Sequence, residues 1–193
     1  MTDIHESAAL RKAALWSLIA GTAQLAIPLI GDQAYPYLFN LLTAVGYGFI
    51  LPFVAVLHVR NAPHRSSGAI LGTIAGTAVA AVGLAAAANV DVRPASLFVL
   101  GMWWWTIGKM GAQTGTLPRP FGRLTAALGA LSFVLVPLEA FGPGLVAVLP
   151  RSVADALAQP YFSATHIVLG IWLLAVAAVF ARERDPVSGA GHR

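Results

Sequence analysis

Six stretches of apolar residues, each separated from the next by a short polar or proline-containing break, occupy almost the whole chain. They run Ala13–Ile30, Pro36–Val59, Gly68–Asn89, Pro94–Gln113, Phe121–Phe141 and Tyr161–Ala181. Each has about the ~20 residues that a helix needs to cross ~30 Å of hydrocarbon. The pattern predicts an all-α, polytopic membrane protein. The expected form is a six-transmembrane-helix bundle making a single membrane domain over residues 1–193.

The breaks have turn chemistry. Asn61-Ala62-Pro63 closes the second stretch, and Leu117-Pro118-Arg119-Pro120 divides the fourth from the fifth. Between Pro150 and Pro160, Val153, Ala154 and Leu157 share one face of a segment too short to span. A short interfacial helix is expected there, at 151–159. Gly68, Gly72 and Gly76 lie four apart on the third stretch, which predicts close approach of another helix within the same protomer.

Composition agrees with the pattern. The chain is 58% hydrophobic and 10% charged, against about 25% charged in a soluble domain. Its mean hydropathy is +0.74. The bias toward alanine, glycine and arginine points to a bacterial inner (plasma) membrane. The net charge of +4 has a plain cause in the arginine-rich connections, so no nucleic-acid partner is expected. With no cysteine, disulfides, thiolate metal sites and iron–sulfur clusters are excluded.

Charge placement predicts orientation. Arg11, Lys12, Arg60, Arg65, Arg119, Arg123, Arg182, Arg184 and Arg193 fall on one side of the six stretches, and only Arg93 and Arg151 on the other. Basic residues collect on cytoplasmic connections, so both termini are expected in the cytoplasm. The first stretch follows Arg11 and Lys12 but is longer than a signal-peptide core. No Ala-x-Ala site follows it, so a retained first span is expected.

Polar residues inside spans are costly in lipid and usually face a bundle or cavity. Ser17, Gly21, Gln24 and Pro28 share a face of the first span. Asn40, Thr43 and Tyr47 share one of the second, Ser132 and Glu139 one of the fifth, and Ser163, His166 and Gly170 one of the sixth. Gln24, Asn40 and His166 lie roughly 6–9 Å inside the outer ends of their spans, at about 1.5 Å per residue. Asp91 and Arg93 cluster at that outer end. An outer-leaflet cavity is expected. Its candidate ligand-binding residues are Gln24, Asn40, Tyr47, Asp91, Arg93, Trp103 and Trp104, and its candidate acid/base pair is Glu139 and His166. Lys109, behind Trp103-Trp104-Trp105, is expected to snorkel to the cytoplasmic interface.

Two resemblances add to this reading. Gly115-Thr-Leu-Pro-Arg-Pro-Phe-Gly-Arg-Leu-Thr-Ala-Ala-Leu-Gly-Ala resembles the loop and following span of DUF4386-type bacterial membrane proteins. That resemblance covers about thirty residues and implies a multi-span fold without an assigned activity. Pro137-Leu138-Glu139-Ala140-Phe141 is similar to the Pro-x-Glu-Glu segment of membrane-bound lycopene cyclases, with alanine in place of the second acid. It implies that Glu139 would protonate an isoprenoid.

No Gly-x-Ser of a rhomboid protease, no desaturase histidine box and no Walker or Rossmann motif is present. His58 and His166 fall in opposite leaflets and cannot share a haem iron. Neither a metal nor a cofactor is expected. Three functions stay open. The first is a transporter or substrate-capture subunit for a small apolar or amphipathic molecule. The second is an intramembrane enzyme acting on a lipid or isoprenoid. The third is an accessory or structural subunit. The expected partners are membrane lipids and that ligand, with a homo-oligomer or a partner membrane subunit also open.

Overall fold

A computed structural model describes the backbone of residues 2–30, 35–88, 93–146 and 151–182, and the side chains of 8–30, 35–88, 95–136 and 163–182. Among the described residues there are seven helical segments: α1 (Thr2–Ile30), α2 (Pro36–Gly48), α3 (Ile50–Asn61), α4 (Ser66–Ala87), α5 (Arg93–Thr114), α6 (Arg119–Val146) and α7 (Arg151–Arg182). Helices α2 and α3 are the two halves of one apolar stretch, Pro36–Asn61. They part at Phe49. The cause is Pro52: it has no N–H to donate to the Gly48 carbonyl, and its ring crowds that carbonyl.

Ala8–Ile30, Pro36–Asn61, Ser66–Ala87, Arg119–Val136 and Ser163–Arg182 are each long and apolar enough to cross a membrane. The outward side chains fit that medium. Leu29, Leu41, Ile74, Leu124 and Val134 are each more than half exposed, which water would not favour on this scale. The molecule is a membrane-embedded helical bundle. Helix α5, matching the expected fourth span, is as long as α4 at 22 residues. It is less apolar, because three tryptophans, Lys109 and Arg93 dilute it.

Two antiparallel pairs carry most of the packing: α5 with α6, and α1 with α7. Both rest on glycine. A Cβ on Gly108 would overlap the Ala126 backbone, and one on Gly129 would overlap that of Trp105. A Cβ on Gly21 would meet the Gly170 carbonyl at 2.9 Å. Absent side chains let backbones touch, which is the main source of helix attraction in lipid. The Gly68/Gly72/Gly76 face behaves as expected: it packs within the protomer, against Met110, Ile107, Trp103 and Val54.

Two expected boundaries move. Residues 151–159 are not a separate interfacial helix but the first turns of α7, which continues through Pro160. Helix α6 likewise runs to Val146, so the long outer connection expected over 142–160 is mostly helix. Proline constrains only the turn before it, and neighbouring helices can satisfy the carbonyl it frees.

At the arginine-rich end two turns are stitched together. Thr116 Oγ1 donates to Asn61 Oδ1 at 2.8 Å, and Asn61 Nδ2 donates to the Leu57 carbonyl at 2.8 Å. The α5–α6 turn is possible because Gly115 adopts φ +76°, a region that side chains with a Cβ rarely occupy.

Candidate functional site

The half of the core away from the arginine-rich end holds a polar trio drawn from three helices. Gln24 on α1 is fully buried, and His166 on α7 and Tyr47 on α2 are nearly so. His166 Nδ1–H donates to Gln24 Oε1 at 2.5 Å. The acceptor is a carbonyl, so the imidazole proton must sit on Nδ1. The Tyr47 ring stands edge-on to His166, with centroids 6.1 Å apart and planes at 73°.

Small residues make room for each member. The Gln24 amide lies against Gly46, where a Cβ would come within 2.8 Å of Nε2, and the Tyr47 ring fills the space over Gly83. Gly21 and Gly170 bring α1 and α7 together one turn from the Gln24–His166 bond. Tyr47 is a side-chain hydrogen-bonding neighbour of Gln24, but the contact is too loose to satisfy the buried Gln24 Nε2 fully. An unmade buried hydrogen bond costs about 1–3 kcal/mol. Ser17 Oγ, two turns along the same face of α1, is buried and unpartnered.

Below the trio is an aromatic layer centred on Trp172. Its ring lies 5.3 Å from Trp103, 6.0 Å from Trp104 and 6.1 Å from Phe53, and it is stacked on Phe121 at 6.4 Å. Trp172 Nε1 donates to Thr125 Oγ1 at 2.9 Å, and Thr125 in turn donates to the Phe121 carbonyl. Nearer the arginine-rich end, His58 Nδ1–H donates to Thr73 Oγ1 at 2.8 Å, because the Thr73 hydroxyl proton is already given to the Ala69 carbonyl.

Of the expected site residues, the structure brings together Gln24, Tyr47 and His166. Asn40 is half-buried on α2, two turns from Tyr47, and is not hydrogen-bonded to the trio. Trp103 borders only a small space beside His58 and Met110, and Trp104 packs on Trp172. Their side chains are buried in the aromatic layer, and Trp105 is the exposed member of the three. Lys109 does not reach toward the near end of α5. Its Nζ turns back over the Trp105 ring, 3.8 Å from the centroid, because helical side chains lean toward the N-terminus. Asp91 and the side chains of Arg93 and Glu139 lie outside the described residues. Within those residues α6 and α7 do not pack backbone to backbone: α7 lies on α1, and α6 on α5. Side chains do bridge the two, Thr125 and Phe121 on α6 meeting Trp172 on α7, and the expected pairing of Glu139 with His166 falls outside the described residues.

Part of the lining of the expected cavity, at Asp91, Arg93 and Glu139, lies outside the described residues. Two concavities lie elsewhere. A space of about 10 Å³, bordered by His58, Thr73, Trp103 and Met110, holds no more than a water. An open apolar groove of about 310 Å³ follows the α2–α3 break along Ala44, Val45, Gly48, Phe49 and Pro52. Among the described residues no cluster of metal-ligating side chains occurs.

Sequence reasoning overlooked Trp172, Thr125 and the glycines at 101, 108, 122 and 129. The glycines had a readable signal, since each pair is spaced by seven on its helix. Trp172, alone among aliphatic neighbours, had none. No protein-family model, curated protein or solved structure matches the chain.

Proposed function

We propose that this is a multi-pass protein of a bacterial inner membrane that binds a small amphipathic molecule, with the ligand's polar end at Gln24, Tyr47 and His166. The observation that carries the reading is the Gln24 amide nitrogen, fully buried in the bundle and met only loosely by the Tyr47 side chain. A hydrogen-bond acceptor on an otherwise apolar ligand would satisfy it, with the Tyr47 ring as a neighbouring apolar wall. Transport or substrate capture is preferred to catalysis, because the group of the trio left incompletely bonded is the Gln24 amide, which neither titrates nor attacks. In the proposed topology there are six passes with both termini cytoplasmic, following the arginine distribution.

The test is mass spectrometry of small molecules that co-purify in mild detergent. Wild type should retain a defined compound that Gln24→Met, which keeps the volume and removes the amide, loses. Equal retention by both would remove this reading. Reporter fusions at Gln33, His64, Val90, Pro118, Gln159 and Arg193 should alternate in compartment. An external C-terminus would overturn the orientation.

A second reading is a structural one, in which the trio is an interhelical clasp. The direct Gln24–His166 bond beside the Gly21–Gly170 contact favours it. It expects Gln24→Met to change stability and no ligand to be lost.

A further inference from the structure

The α5–α6 pair has an outer seam whose chemistry belongs to a different ligand. Gly108 meets Gly122 and Ala126, and Gly101 meets Gly129. This antiparallel register sets Lys109 level with Phe121 and Arg123 level with Ile107. Trp104 and Thr125 point to the inner side of the seam, where both touch Trp172. Trp105 and Lys109 on α5, and Arg123 on α6, lie on the other side, and all three are exposed. Arg119 is exposed one turn nearer the end of the bundle.

We propose that this seam binds an anionic phospholipid of the leaflet at the arginine-rich end. Its phosphate is held by Arg123 and by Lys109, whose Nζ swings off the Trp105 ring to meet it, and an acyl chain then lies along Trp105, Met102 and Phe98. The stripe is built like the ligand. Lys109, Trp105, Met102 and Phe98 follow one another at helical spacing, with the cation at one end and apolar groups beyond it. Eleven residues of helix rise about 16 Å, roughly one leaflet of hydrocarbon. Trp105 is 37% exposed and Phe98 47%, so the apolar part is open to a chain.

Charge argues for an anion from outside the protein. No aspartate or glutamate occurs between Asp32 and Asp91, or between Asp91 and Glu139, while Arg60, Arg65, Arg93, Lys109, Arg119 and Arg123 all fall in that interval. Lys109 is held over an indole and not by a carboxylate. The two helices of the seam do not supply the missing charge themselves. Glu139, the acid on α6, lies 18 residues beyond the level of Lys109, about 27 Å along the helix.

The proposal rests on the membrane embedding of the bundle, which carbonate extraction checks separately; a protein released into the supernatant would defeat the embedding itself. The lipid site is tested by native mass spectrometry of the detergent-solubilised full chain with phosphatidylglycerol or phosphatidylcholine added. Wild type should retain phosphatidylglycerol preferentially. Lys109→Gln and Arg123→Gln should each reduce that preference about 5-fold, as expected for about 1 kcal/mol per cation. Lys12→Gln/Arg182→Gln, at the same end on α1 and α7, should leave it nearly unchanged. An unchanged preference in Lys109→Gln/Arg123→Gln would overturn the proposal, as would an equal loss in the control pair. So would a bound acidic membrane protein that excludes the lipid. If the double variant fails to fold, tryptophan quenching in wild type by brominated phosphatidylglycerol should exceed that by brominated phosphatidylcholine. Trp105→Phe should remove the excess, and its persistence would overturn the site.

Discussion

The two sides of α5 are held by opposite means. Toward α6 the helices meet through missing side chains, with Gly101 and Gly108 set on Gly129 and Gly122 so that backbone touches backbone. Toward α7 they meet through the largest side chains available, and Trp103, Trp104 and Trp172 fill a gap too wide for close backbone contact. Lipid tails are as apolar as leucine, so neither contact draws on a hydrophobic drive between helices. One gains dispersion by proximity and the other by area. The first tolerates no added atom, and the second tolerates no lost one.

That contrast is open to breaking. The largest effect should come from Gly122→Leu. Its Cβ alone would come within 2.9 Å of the Gly108 carbonyl and the Ala112 backbone, so folded protein should not be recovered. Gly72→Ala is the milder counterpart, because its Cβ would meet the Ile107 side chain at 3.3 Å. It should lower the melting temperature only modestly. A Gly122→Leu protein of normal stability would mean that the α5–α6 register is wrong.

Next comes the aromatic side. Trp172→Ala should destabilise by about 3–5 kcal/mol, the range for a large buried aromatic. Trp172→Phe should cost less but leave Thr125 without its donor. Reversible unfolding in mixed micelles would measure both, and a Trp172→Ala loss below about 1 kcal/mol would show that the seam is not filled.

The polar clasp should matter less than either. A double-mutant cycle between Gln24 and His166 should give a coupling of about 0.6–1.7 kcal/mol, as for other interhelical hydrogen bonds in membranes. Zero coupling would mean that the bond does not form. Smallest of all is Gly48→Ala. Nothing lies within 4 Å of its would-be Cβ, so alanine should be neutral or stabilise by up to about 1 kcal/mol through helix propensity.

These contrasts also show what was legible in the sequence. The helices were, because a span must be long and apolar whatever it packs against. The Gly68/Gly72/Gly76 face was, because four-residue spacing marks one side of a helix. Gln24, Tyr47 and His166 were picked out one helix at a time as polar residues in apolar runs. Their meeting was not readable, since it depends on α7 returning to α1 and not to α6. The directions of the tryptophans were not readable for a related reason. Three in a row must point three ways, and only the positions of α6 and α7 decide that Trp105 faces out while Trp103 and Trp104 face in. The break of the second span at Phe49 and the unbroken passage of α7 through Pro160 show the same dependence. A proline's local effect is fixed, but whether a helix continues past it depends on neighbours.

The pairing of α1 with α7 sets an order in time. Gln24 and His166 are 142 residues apart, so at synthesis rates of about 5–20 residues per second the amide oxygen waits roughly 7–30 s for its donor. The α5–α6 hairpin closes across a link of only four residues, from Gly115 to Pro118, and can form as soon as it emerges. Helix α1 thus waits far longer for its main partner than α5 does for α6. A chain stopped before α7 would leave the glycine face of α1 and two buried polar groups, Ser17 and Gln24, turned toward lipid, where a quality-control protease could recognise them.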